Sequence, residues 1–335
     1  MTASTRISIA AFALLCASPV ASGAAVSAAA PPAALQTGAG TTDSRQETWS
    51  RTFETGPQGA LELWNLAGDV RIVGGGGDTI QVEAVKRLHR PSASGGPGDL
   101  DRIEITATET PGRVRIRTVF SGKQQVAAEV EFRITVPAGT AVTVQTISGD
   151  IDVQKVTGAT AVESVSGDVV VGGARRLIRA KSVSGDIRLN DAAGEALEAN
   201  SVSGDLDLRG LKAAGCTLQT VSGSVTVGGA VCDRAEMKSV SGDVEYSGGL
   251  SSGGRYEFKS HSGDIRLAIG SGAGFSLSAS TFSGDLTSQL QLTAVSRNEP
   301  PRHGPRTQRL QGTFGDGSAQ VEVTTFSGSL VLTGK

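Results

Sequence analysis

Aromatic residues are scarce in this chain, at 4% of 335 residues, and hydrophobic residues of every kind reach only 38%. That leaves little material for the broad apolar stripes of packed helices. With 45 glycines, the composition suits short Val/Ile/Leu strands joined by many tight turns. Histidine is almost absent: His89, His261 and His303 are the whole supply, and none stands in a Ser/His/Asp order or at a metal-ligand spacing. Neither sign of charge dominates, with 31 Lys+Arg against 33 Asp+Glu, which excludes the basic footprint of a nucleic-acid-binding protein. Long apolar runs are also missing. The one such run, Ile7 to Cys16, is shorter than the roughly 20 residues that span a bilayer.

That run follows Arg6 and precedes small residues from Ala17 to Ala28, the form of a secretory signal. Leu15 stands before Cys16 where a lipoprotein signal needs Gly, Ala or Ser. The expectation is an exported protein, periplasmic, cell-surface or secreted, with residues 1–28 as signal peptide and no transmembrane anchor after its removal. Residues 29–46, rich in Ala, Pro, Gly, Thr and Ser, read as a disordered tether. Two cysteines remain after cleavage, Cys216 and Cys232. In an oxidising compartment they can form a disulfide. The competing reading makes Cys216 a small buried hydrophobe in a column with Ile178, Leu197 and Tyr256.

What the chain has in abundance is one short sentence, [Ser/Thr]-apolar-Ser-Gly-[Asp/Ser]-apolar-x-apolar. It recurs at Ser148, Ser166, Ser184, Ser203, Ser222, Ser241, Ser262, Ser283 and Ser327, with spacings of 18, 18, 19, 19, 19, 21, 21 and 44. A period near 20 is too short for helical-pair repeats and fits one turn of a β-solenoid. The spacing of 44 reads as two coils plus an insertion, a loop over 290–317 carrying Arg297, Arg302, Arg306 and Arg309. The last copy then closes the stack.

Numbering each copy from its Ser as zero, positions −4, −1, +3 and +5 are apolar. Position −1 holds Ile147, Val165, Val183, Val202, Val221, Val240, His261, Phe282 and Phe326, and position +3 begins Ile151, Val169, Ile187 and Leu206. These four columns are the expected core, with like side chains stacked about 4.8 Å apart. Gly at +1 marks a corner. Residues 47–140 carry period-two strand runs and read as a β-rich N-terminal cap continuous with the solenoid, which protects its first strand edge. Ala67-Gly68-Asp69-Val70-Arg71-Ile72 is a degenerate copy of the repeat. Residues 141–335 form the solenoid proper. The fold class is thus all-β, a single-chain parallel β-solenoid, right-handed, of about nine coils.

The stretch from Thr135 to Val153, TVPAGTAVTVQTISGDIDV, followed by Ser-Val-Ser-Gly-Asp at Ser164, Ser182, Ser201 and Ser239, resembles a bacterial family of exported adhesin-like domains. The resemblance spans about 53–335. It implies a β-solenoid with a β-rich cap and an envelope or extracellular location, and it carries no catalytic motif.

The polar column at +2 holds Asp150, Asp168, Asp186, Asp205, Asp243, Asp264 and Asp285, interrupted by Ser224 and Ser329. Carboxylates stacked about 5 Å apart repel by roughly 1 kcal/mol per neighbour in water, so something must offset them. One reading threads calcium between them. The other has each Asp accept hydrogen bonds from turn amides. The second is favoured, since the calcium nonapeptide Gly-Gly-x-Gly-x-Asp is missing, and no metal or cofactor is expected. The Ser/Thr columns at −2 and 0 read as a hydroxylated face able to meet a polymer, and Arg302, Arg306 and Arg309 as a basic contact. Function reads as a non-enzymatic binding or scaffold module whose partner is a cell-envelope polymer, a glycan or a protein surface. The alternatives are a polysaccharide-acting β-helix enzyme and a structural or regulatory periplasmic domain.

Overall fold

The computed structural model describes residues 46–88, 97–121, 128–270, 272–298 and 307–334. The signal, the tether up to residue 45, His89, His303, Arg302 and Arg306 lie outside the described residues.

Each repeat forms one rung of a stack. A strand ending on the repeat Ser runs along a first face, the Gly turns the corner, and a shorter strand carrying +3 and +5 runs along a second face. Ala141–Ser148 and Ile151–Gln154 make one rung; Ala159–Ser166 and Val169–Gly172 make the next. Neighbouring rungs pair in parallel, Val162 on Val144 and Val169 on Ile151, so like columns stack. Between the faces lie Val144, Val162, Ala180, Ala199, Leu218, Met237 and Phe258 from −4, with the +3 column except the partly buried Leu286, all at most 2% exposed. Burial of these rows, at about 25 cal/mol per Å² of apolar surface, is what a chain with so few aromatics relies on.

The degenerate copy at Ala67-Gly68-Asp69 is a full rung. Ala60–Ala67 pairs in parallel with Ala141–Ser148, and Val70–Gly75 with Ile151–Gln154. Ten glycine corners therefore follow one another along the stack. Beyond the Gly68 rung the pairing changes sense. On the first face Arg113–Phe120 adds in parallel, and Ile103–Thr110 then pairs with it antiparallel. On the second face Ala128–Pro137 adds in parallel, followed antiparallel by Thr79–Leu88 and Gln46–Glu54. This is the expected cap. Its antiparallel strands break the repeating rung edge.

Three expectations are overturned. The interval 290–317 is not a plain loop: Thr293–Asn298 and Gln308–Phe314 are strands, the second pairing antiparallel with Phe275–Ser283 and the first with the second. The Ser327 copy does not close the stack. Ala319–Ser327 lies between Arg255–Ser262 and Phe275–Ser283, and Leu330–Gly334 lies between Ile265–Ile269 and Leu286–Ser288. The order of corners is therefore Gly263, Gly328, Gly284. Finally, Ile178 does not share the Cys216 column. A bulge pairs Thr160 with Leu177 and Ala161 with Arg179, so Leu177 turns inward and Ile178 is half exposed.

Cys216 and Cys232 are joined by a disulfide across neighbouring rungs, both buried. Tyr256 lies above them, its hydroxyl donating to the Cys232 carbonyl at 2.5 Å.

Candidate functional site

The repeat's polar residues build the corner. At −2, Thr146, Ser164, Ser182, Ser201, Thr220, Ser239, Ser260, Thr281 and Thr325 are all buried, at 5% exposure or less. From Ser164 on their hydroxyls face the carbonyl of a corner glycine on the preceding rung, as Ser182 donates to Gly167, Ser201 to Gly185, Thr220 to Gly204, Ser239 to Gly223 and Ser260 to Gly242, at 2.9–3.2 Å, whereas Thr146 donates to the Ser148 carbonyl. In the first rung Asn65 takes this place, its amide donating to the Gly68 and Val130 carbonyls. A buried carbonyl left without a donor costs about 1–3 kcal/mol, which explains a hydroxyl at every copy.

The glycine at +1 is required twice over. Gly204 has φ +158°, and a Cβ there would stand 2.1 Å from the carbonyl oxygen of Gly185. The Asp column is tied along the stack. The amides of Asp168, Asp186, Asp205 and Ser224 donate to Oδ1 of Asp150, Asp168, Asp186 and Asp205 respectively, at 2.7–2.9 Å, and that of Asp264 donates to Asp243. Arg188 bridges Oδ2 of Asp168 and Asp186, and Arg266 bridges Asp243, Asp264 and Glu245. For Asp168, partial burial raises the carboxyl pKa, but the Arg188 guanidinium and the Asp186 amide outweigh it and hold it below the usual range. Asp243 is lowered in the same way, its burial outweighed by Arg266 and the Asp264 amide. These amides and guanidiniums supply the offset that stacked carboxylates need. Asp285 stands at the outer rung, its amide donating to the Ser329 hydroxyl. Among the described residues, no three His, Cys, Asp or Glu side chains come together as metal ligands.

Position −1 was expected inside and stands outside. Ile147, Val165, Val183, Val202, Val221, Val240, Phe326 and Phe282 are 41–50% exposed. The reason is strand parity. Side chains alternate between faces with period two, so with −4 buried, −2 must also be inward and −1 outward. That parity was the signal available in the sequence, and the apolar character of −1 masked it. The result is one continuous ridge along the corner, beside the exposed Ser column at position zero. It begins at half-buried Leu66 and ends in a ring stack: His261 lies on Phe326 at 4.9 Å between centroids, and Phe326 on Phe282 at 4.8 Å, with the ring planes nearly parallel. From Ile147 to Phe282 there are eight rung steps, about 38 Å at the ~4.8 Å strand spacing.

Away from the ridge, a 280 Å³ hollow on the second face is lined by Thr226, Glu245, Ser247, Arg266 and Leu267, with Arg266 already held by three carboxylates. Arg309 is exposed on its strand. On the first face near the cap, Arg115 and Arg117 lie over the Trp64 ring.

A parallel β-solenoid built from one glycine-cornered rung is the class this architecture defines. The chain belongs to the Toastrack DUF4097 family, whose model matches residues 60–333. Among solved structures it is similar to a "putative cell adhesion protein" from Clostridium sporogenes, at 10% identity and a TM-score of 0.21, with 87% of this chain and 100% of that chain covered. It is also similar to a "putative adhesin" from Parabacteroides merdae, at 10% identity and a TM-score of 0.25, with 69% and 95% covered. No curated protein matches the chain. Among the described residues no helix is long and apolar enough to cross a membrane.

Proposed function

We propose that the chain is an exported, non-enzymatic binding or scaffold module of the bacterial cell envelope, adhesin-like, which meets its partner along the corner ridge. The observation that carries this reading is the ridge itself: eight large apolar side chains and His261 in one column, held half exposed on a stack whose −2 hydroxyls and +2 carboxylates are spent on its own hydrogen bonds. Contiguous exposed apolar surface on a rigid body marks an interaction site. Its chemistry fits a protein surface better than a sugar. The faces of Phe326 are covered by His261 and Phe282, so the ring stack presents edges where carbohydrate stacking needs faces.

The test is co-sedimentation of the purified chain with envelope fragments, before and after protease treatment of the fragments. The wild type is expected to sediment with untreated fragments. The Val183→Thr/Val202→Thr/Val221→Thr variant, which removes apolar surface without stacking like charges, is expected to stay in solution with its melting temperature nearly unchanged, because these side chains are exposed. Equal sedimentation of both would remove the ridge from the interface; binding that survives the protease would make the partner a glycan. Protease accessibility on intact cells, compared with cells whose outer barrier has been opened, tells surface from periplasm.

A further inference from the structure

The Gly328 rung sits out of sequence order, and this creates a slot. Residues 275–288 form the rung beyond it, yet their parallel ladder pairs run only to residues 319–334: Phe275–Ser283 to Ala319–Ser327, and Leu286–Ser288 to Leu330–Gly334. On its other side the same segment pairs with Arg255–Ser262 and Ile265–Ile269. Without residues 319–334, four strand edges would face one another across a gap one rung thick.

The slot is chemically specific. Val321 lies between Tyr256 and Leu277, Val323 between Phe258 and Ala279, and Leu330 between Ile265 and Leu286, all three at most 1% exposed. Thr325 donates to the Gly263 carbonyl, and Thr281 to that of Gly328. The Ser329 amide donates to Asp264, and the Ser329 hydroxyl accepts from the Asp285 amide. A Cβ on Gly328 would stand 2.1 Å from the Gly263 oxygen, so only a glycine-cornered segment fits. The occupant is thus coded by the repeat itself.

Residues 319–334 reach the slot from Gln308–Phe314 through Gly315, Asp316, Gly317 and Ser318. Both glycines have positive φ, +61° and +67°, and the hinge is held by the Asp316 carboxylate accepting from the Ser318 amide. Four residues extended span about 14 Å. Rotation there lets the segment leave while Gln308–Phe314 stays paired with Phe275–Ser283. We infer that this slot is a site for a second copy of the chain, which enters by exchange of residues 319–334. Every ladder and core contact is the same in the exchanged and unexchanged forms, so the two differ chiefly in effective concentration and hinge conformation.

Val331 and Thr287 are direct partners across the slot, and Thr287 is exposed. Strand neighbours lie about 4.8 Å apart, within the Cα range of a disulfide. Full-length Thr287→Cys/Val331→Cys is expected to close a disulfide within one chain, which checks the rung order. The two single variants, Thr287→Cys and Val331→Cys, are then mixed at high concentration, warmed to just below melting, cooled and oxidised. Exchange predicts a reducible band at twice the chain mass that needs both variants. The buried Cys216–Cys232 pair does not compete. As a control, Thr226→Cys lies on the same face but pairs with Asp207 and Glu245, away from Val331. Closure of the double variant without a mixed dimer overturns the inference. So does a Thr226→Cys control that dimerises equally, and so does failure of the double variant to close.

Discussion

The middle of the stack and its C-terminal end use the same rung differently. From Gly149 to Gly263 the order along the chain is the order in space, each rung resting on the one before it, and each contact is separated by 18 to 21 residues. In the last three rungs Gly328 stands between Gly263 and Gly284, so contacts span 65 residues on one side and 44 on the other. The local hydrogen bonding is nonetheless identical: a buried hydroxyl meets a glycine carbonyl, and a +2 side chain meets the next +2 amide. The motif specifies that a rung stacks on a rung. It does not specify which rung. Loop-closure entropy rises only slowly with length, so an insertion out of order costs little extra stability.

Glycine substitutions should separate the two regions most. Gly204→Ala places a Cβ against Gly185 in a rung held from both sides, and the expected loss is about 3 kcal/mol or more, read as a cooperative drop in melting temperature. Gly284→Ala meets the Gly328 oxygen just as closely, at 2.1 Å, but in the outermost rung, which can shift away. It should cost clearly less and should loosen only residues 275–298 and 307–314 in hydrogen exchange. Equal effects would mean that the end rung is as fixed as the middle.

Removing an inner hydroxyl is the next smaller change. Ser201→Ala strands the Gly185 carbonyl and should cost about 1–3 kcal/mol by denaturant melts. Thr281→Ala strands the Gly328 carbonyl in the exchangeable region and should cost a comparable amount. If Ser201→Ala were neutral, the −2 hydroxyl would not be satisfying the corner.

Acid should produce the smallest effect near neutrality and a growing one below it. The carboxyls of Asp168 and Asp243 are depressed, so their contribution is present above the unfolded Asp value of about 3.9 and is lost as pH falls through their lower folded values. Melting temperature should therefore be flat from pH 7 to about 5 and decline below about 4. Arg188→Gln should flatten that decline for the middle of the stack, and Arg266→Gln for the end. No change in either profile would show that the guanidinium bridges are fully screened.

Much of this architecture was legible from the residues. The period, the Gly corner, the inward +3 and +5 columns and a β-rich cap at the N-terminal end follow from spacing and period-two alternation, although a full rung, 60–75, lies within the interval read as cap. The favoured reading of the Asp column, acceptance from backbone amides, matches the geometry, although the donor belongs to the next rung and not to the same turn. The corner was misread for a physical reason. Hydropathy puts Val183 inside and Ser182 outside, whereas chain parity and the stranded glycine carbonyl require the reverse. The bulge at Ile178 was hidden similarly, because one extra residue moves an apolar side chain outward without changing the composition of the stretch.

The sequence by itself determined that this chain is a stack of glycine-cornered rungs, since a Cβ at +1 collides with the neighbouring rung and a hydroxyl at −2 is needed to satisfy the carbonyl there. Only the tertiary structure decided the order of the last three rungs, the outward turn of the −1 column and the union of Cys216 with Cys232. Those depend on which equivalent edges meet and on which way a strand turns at its corner, and a repeating sequence is degenerate in both.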